Sequence, residues 1–142
     1  MLSALEAVNL MLMSIGEQRV NSLDTPGIME AEVAQASLRD ASRDVQAHGW
    51  HFNTDKGVLL DPDDAGHINL PANCLRADTV GPDQRVDVVQ RGLRLYDRRR
   101  RSFVFKDPVR LDMVTMLDFD ELPEYARRYI AIIAQRRFVE RV

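Results

Sequence analysis

Apolar positions along this chain change period twice, from helical steps to alternation and back. Leu5, Val8, Leu12 and Ile15 recur at steps of three and four behind Ser3 and Glu6, a capping-box pair. The spacing predicts a helix over about 3–15, closed at Gly16. The linker Glu17–Thr25 carries Asn21, Ser22 and Asp24 and runs into Pro26-Gly27, a turn signal. A second helix is expected over about 28–48. Ile28, Ala31, Leu38, Ala41, Val45 and His48 share one face, with Met29, Val33 and Ala36 beside it. Glu30, Glu32, Arg39, Asp40, Arg43 and Asp44 form the opposite face, and the paired apolar stripes predict packing on more than one side.

The helical pattern stops in the seam Gln46-Ala47-His48-Gly49-Trp50-His51-Phe52-Asn53. Gly49 suits the left-handed residue that ends a helix. Trp50 and Phe52, two apart, would then share one face of a strand and fasten helix to sheet. Alternation continues to Leu117. It predicts strands at Trp50–Asn53, Val58–Leu60, His67–Leu70, Arg85–Gln90, Leu93–Asp97, Ser102–Phe105 and Val109–Met116. Turn chemistry separates them at Asp55-Lys56-Gly57, Asp61-Pro62-Asp63-Asp64, Gly81-Pro82-Asp83 and Arg91-Gly92. Arg98–Arg101 falls between two such strands and reads as a hairpin tip.

Helical spacing returns at Pro123, a good first helical residue, with Glu124 at the positive end of the dipole and Arg136, Arg137 and Arg141 toward the negative end. Tyr125, Tyr129, Ile132 and Ile133 mark the expected buried side of a helix over 123–142. The pattern reaches Val142 without a cap, so the native polypeptide is expected to continue. The resulting fold class is α+β: an antiparallel helical bundle with a small antiparallel β-sheet insertion, about 50–117, between the second and third long helices. The whole of 1–142 reads as a single domain, as its length allows.

Composition narrows the functional classes. Net charge is −3, spread as −4 over 1–49, −2 over 50–122 and +3 over 123–142. That balance is not a basic nucleic-acid binder's. Arginine outnumbers lysine 17 to 2, which favours planar contacts to carboxylate or phosphate. No apolar run has the length of a membrane span, no signal peptide is recognisable, and the lone Cys74 fits an intracellular folding compartment.

Candidate chemistry is thin. His48, His51 and His67 lack the converging third and fourth ligands of a metal site. Asp118, Asp120, Glu121 and Glu124 are what a helix N-terminus already favours. Cys74 has no evident base partner. Arg98–Arg101 could meet a nucleic-acid backbone, but a solvated hairpin tip or a contact to acidic side chains of a protein is the preferred reading. No catalytic constellation assembles, and neither cofactor nor metal is expected.

Four stretches in order resemble the tail tubular protein A family, the head-to-tail adaptor of T7-like short-tailed bacteriophages. They are Leu5-Glu6-Ala7-Val8-Asn9 through Ser14-Ile15-Gly16-Glu17; Arg43-Asp44-Val45-Gln46 with Gly49-Trp50-His51-Phe52-Asn53; Val89-Gln90-Arg91-Gly92 with Leu95-Tyr96-Asp97; and Leu117-Asp118-Phe119-Asp120-Glu121-Leu122-Pro123-Glu124 with Arg127, Arg128, Tyr129 and Ile130. The resemblance implies a non-enzymatic virion protein of the tail, made in the host bacterial cytoplasm and assembled as a homo-oligomeric ring of twelve subunits. Such a ring joins the portal protein to the tail nozzle, a tubular protein B-like partner, and DNA passes through its lumen without sequence-specific binding. Family members extend further at the C-terminus through helices that help grip the portal. Within this reading Arg98, Arg99, Arg100, Arg101, Arg127 and Arg128 are candidate interface residues, and Gly49, Trp50 and Phe52 form the helix–sheet joint. The alternative is a nucleic-acid-binding module using the Arg98–Arg101 hairpin; a metal-dependent hydrolase using His48, His51 and the acidic turn is a further rival.

Overall fold

The computed structural model of the protein describes residues 1–24, 27–80 and 85–142. The expected turn at Gly81-Pro82-Asp83, and Thr25 and Pro26 of the first linker, lie outside these residues. The class is α+β, with three α-helices and small antiparallel sheets among the described residues. The chain forms two compact units: Met1–Val45 with Leu117–Val142, and Gln46–Met116 between them in sequence.

In the first unit, α1 spans Ala4–Ser14, α2 Met29–Gln46 and α3 Glu124–Arg141. The Ser3 hydroxyl accepts the Glu6 N–H at 3.1 Å, satisfying one orphan donor of the first turn. Ala7, Val8, Met11 and Leu12 are buried along α1. The chain leaving α1 is held by Asn9, whose amide oxygen accepts the Val20 N–H at 2.8 Å while its nitrogen donates to the Val20 carbonyl at 3.0 Å. Late residues of α2 meet late residues of α3 in opposite order. Arg137 pairs with Asp44 at 2.7 Å, and Arg141 reaches Asp40 at 3.1 Å and the Ser37 hydroxyl at 3.0 Å, so these two helices run in opposite directions.

Two expected helix faces are corrected. On α2 the buried positions are Ala34, Ser37, Leu38, Ala41, Ser42 and Gln46, while Ile28 and His48 are exposed and lie outside the helix. On α3 the buried face is Ala126, Arg127, Ile130, Ala134 and Phe138. Tyr125, Tyr129 and Ile132 are more than half exposed, at 58%, 53% and 53%. Small alanines and serines bring helices close together, so they displace the larger residues that hydrophobicity alone would place inside.

The second unit holds β1 (Thr54–Leu60), β2 (Cys74–Thr79), β3 (Val88–Arg91), β4 (Arg94–Asp97) and β5 (Val109–Thr115). The central strand is β5, antiparallel to β1 on one side and β2 on the other; β3 and β4 form a separate hairpin. Ile68, Leu70, Cys74, Leu95, Phe105, Val109, Leu111 and Met113 make the core. The register of β1 shifts between Asp55 and Val58, and Gly57 occupies that bulge at φ +65°. There its N–H donates to Asp112 at 3.0 Å and its carbonyl accepts from Arg110 at 3.0 Å, which settles the extra residue.

Three strand expectations are corrected. Residues 50–53 form a turn, because the Asn53 N–H closes on the Trp50 carbonyl at 3.1 Å and the Asn53 side chain accepts the Trp50 N–H at 2.9 Å. The stretches His67–Leu70 and Ser102–Phe105 contribute only isolated bridges, His67 to Val104, Asn69 to Arg94 and Ser102 to Asp97. Cys74–Thr79, which carries no strong alternation, is a strand. It is recruited by pairing with β5 rather than by its own propensity.

Candidate functional site

The arginine tract is a four-residue turn at the end of β4. Asp97 and Ser102 exchange backbone hydrogen bonds of 2.8 and 3.2 Å across it, and Asp97 turns its carboxylate inward to accept the N–H groups of Arg99 and Arg100 at 3.0 and 3.2 Å. Arg101 completes the turn in the left-handed region at φ 52°. A buried carboxylate thus gathers the backbone, which sends four guanidinium groups outward. Arg98 pairs loosely with Asp87 at 3.7 Å and Arg100 with Asp97 at 4.0 Å. Among the described residues Arg99 and Arg101 have no acidic partner. Beside the turn lies a cleft of about 320 Å³ lined by Arg85, Asp97, Arg99, Arg100, Lys106 and Asp107, among others. Cations outnumber anions in that lining, so an anionic group would be attracted.

The aromatics flanking the turn are already engaged. Tyr96 takes Arg91 over its ring at 3.6 Å and meets Phe103 edge-on at 5.0 Å, while Phe105 is buried. They do not form an open stacking platform of the kind single-stranded nucleic acid uses.

Arg127 and Arg128, adjacent in sequence, divide between inside and outside. Arg127 is 5% exposed. Its guanidinium donates to the carbonyls of Leu122 at 2.8 Å, Leu2 at 3.0 Å and Asp120, with the Asp120 carboxylate at 4.0 Å. It ties the chain start and the turn before α3 to that helix. Arg128 is exposed and pairs with Glu124 at 2.8 Å. That bond, with the Leu2 N–H at 3.0 Å, holds the Glu124 carboxyl below the usual carboxylate range.

The seam is built around Asn53 as much as its aromatics. Asn53 is 2% exposed; its amide nitrogen donates to the carbonyls of Gln46 at 2.7 Å and Thr115 at 3.0 Å. Gly49 sits at φ +85°, and a Cβ there would come within 2.5 Å of the Arg76 guanidinium and 3.0 Å of the Val114 side chain. That guanidinium donates to the His48 carbonyl at 2.7 Å. Trp50 and Phe52 stack, rings 6.2 Å apart and tilted by 5°, and Trp50 remains 38% exposed.

Among the described residues no group of three or more His, Cys, Asp or Glu side chains converges as metal ligands would, and no helix is long and apolar enough to cross a membrane. The arrangement offers surfaces for binding. The sequence profile of the tail tubular protein family matches residues 5–142.

The chain belongs to that family.

Membership places it among phage tail structural proteins. It is also similar to the tail tubular protein A of Klebsiella phage KP34, 34% identical over 127 residues, which are 89% of this chain and 66% of that relative. The chain therefore spans slightly under two-thirds of the curated relative's length. In this tail tubular protein, three features escaped the sequence reading. They are the inward role of Arg127, the amide of Asn53 and the outward apolar face of α3. Arg127 could have been found from its place beside Ala126, one turn before Ile130 and two before Ala134, on the small-residue side of α3. Asn53 could not, since its partners include a residue 62 positions away.

Proposed function

We propose that this chain is the ring-forming head-to-tail adaptor of a short-tailed phage, a virion protein that joins the portal to the tail nozzle and lines part of the DNA ejection channel. The observation that carries the reading is the family match running from residue 5 to residue 142. In this account twelve copies form the ring. The three helices make an antiparallel bundle that builds it. Gly49, Trp50 and Phe52, together with Asn53, form the turn that follows the second helix and opens the β-rich unit. The chain is made in the host cytoplasm, acts in the virion without catalysis or cofactor, and lets DNA pass without sequence-specific contacts.

The Arg98–Arg101 turn faces a protein partner, the nozzle. A channel through which DNA slides gains little from tight phosphate clamps, and the engaged Tyr96 and Phe103 rings favour the same assignment. Exposed Arg128 belongs to an interface rim, whereas Arg127 acts through the fold behind it. Replacing Arg98, Arg99, Arg100 and Arg101 together with Ser tests this. Loss of nozzle docking is expected; intact docking with altered DNA retention would favour the nucleic-acid reading. That alternative also requires salt-sensitive DNA binding by the isolated monomer.

A further inference from the structure

α3 carries an outward stripe whose composition is at odds with a free surface. Tyr125, Tyr129, Ile132, Arg136 and Val139 follow one another at steps of four, three, four and three, the spacing of a seam between two helices. They lie opposite the buried face of Ala126, Ile130, Ala134 and Phe138, and the four apolar members are each at least half exposed. The stripe is about 21 Å long at the helical rise. Ile132, Arg136 and Val139 border an open groove of about 450 Å³.

α2 carries an outward stripe too. Met29, Glu32, Ala36, Arg39 and Arg43 follow at steps of three, four, three and four, opposite the buried Ala34, Leu38 and Ala41. Met29 is 72% exposed. Arg39 and Arg43 point away from the Asp40 and Asp44 flank that pairs with α3, and among the described residues neither has an acidic partner.

Read in opposite directions, the two stripes have the same spacing and matching chemistry. Met29 falls against Val139, Glu32 against Arg136, and small Ala36 against large Ile132. Arg39 falls on Tyr129 and Arg43 on Tyr125, both cation–π pairs. A rung-by-rung match of size, charge and ring is what a seam between antiparallel helices requires. We infer that the outward face of α2 in one copy of this chain docks antiparallel on the outward face of α3 in the next copy. Because the contact uses a different surface on each partner, every copy can dock a neighbour on either side, and such head-to-tail contacts form a ring when the rotation between copies closes. This inference rests on the ring reading above and names the surfaces that would build it.

Cysteine pairing and charge reversal test it on the full chain. Two differently tagged populations, Ala36→Cys and Ile132→Cys, are mixed and mildly oxidised; Cys74 is buried and stays in place, with unaltered chain as control. A disulfide-linked dimer carrying both tags is expected from the mixture, with little from either population alone. Glu32→Arg or Arg136→Glu should each weaken self-association by about tenfold or more, and the two changes in one chain should restore it. Circular dichroism of all variants should match the parent, since Glu32, Ile132 and Arg136 are exposed and Ala36 is half-buried. A parent chain that stays monomeric at every concentration, both alone and with portal protein, overturns the ring reading and this inference with it. An oligomer that both single reversals leave intact, and that yields no 36–132 bond, overturns the α2–α3 seam alone.

Discussion

The side-chain amide of Asn53 donates to the backbone carbonyl of Thr115 at 3.0 Å, and the Thr115 N–H donates back to the Asn53 carbonyl at 2.9 Å. The same amide caps the Gln46 carbonyl at the end of α2. One buried residue thus satisfies a helix terminus and the last residue of the central strand. Asn53→Ala would take a donor from both carbonyls, although Gln46 keeps the Gly49 N–H at 3.0 Å, and Asn53→Asp would set a carboxylate against them. Each should cost about 1–3 kcal/mol in urea unfolding, with Asp the worse of the two.

Gly49 is fixed twice, by its left-handed backbone and by the closeness of Arg76 and Val114. Gly49→Ala should destabilise the chain by about 1–3 kcal/mol in the same measurement, with the Arg76 contact to the His48 carbonyl disturbed. Trp50 behaves differently. A fully buried tryptophan would cost about 3–5 kcal/mol on truncation, but at 38% exposure Trp50→Ala should cost about 1–2 kcal/mol.

The Arg127 guanidinium serves three carbonyls at once, and its neighbour serves a single exposed carboxylate. Arg127→Ala should cost about 3–5 kcal/mol, and Arg127→Lys should recover little, since an ammonium cannot reproduce the planar fork. Arg128→Ala should cost under about 1 kcal/mol. Thermal unfolding of the three variants side by side measures the difference.

Acid sensitivity follows from Glu124. The Arg128 guanidinium, aided by the Leu2 N–H, lowers its pKa in the folded chain, so the folded state binds the proton less readily than the unfolded one. Its contribution is therefore present above the ordinary carboxylate range and is lost as pH falls through the lowered value. Comparing stability at pH 7 and at about pH 3 should show a smaller loss for Glu124→Gln than for the parent.

Much of this was legible from residue order. Ser3 and Glu6 gave the start of α1, Gly49 the end of the second helical stretch, and Arg91-Gly92 the turn between β3 and β4. The arginine tract does form a turn, closed by the Asp97–Ser102 bridge, but Ser102–Phe105 is not the second strand of a hairpin, and the Asp97 carboxylate that gathers the turn was not foreseen. What stayed hidden depended on partners distant in sequence. Cys74–Thr79 becomes a strand only because β5 lies beside it. On α3 the rule that large apolar residues go inside failed, because Ala126 and Ala134 allow close packing and leave Tyr125, Tyr129 and Ile132 outside. Tyr129 and Ile132 then face outward, where a neighbour could meet them. The Trp50-Phe52 pair was expected on a strand, yet local hydrogen bonds from Asn53 hold that stretch as a turn.

The adaptor reading is tested most directly by weighing the chain in solution, alone and with portal protein, by mass photometry. The account predicts a closed assembly near twelve times the 16.2 kDa chain mass, alone or bound to the portal. A chain that remains monomeric in both, or that grows into open filaments of no fixed mass, would contradict it.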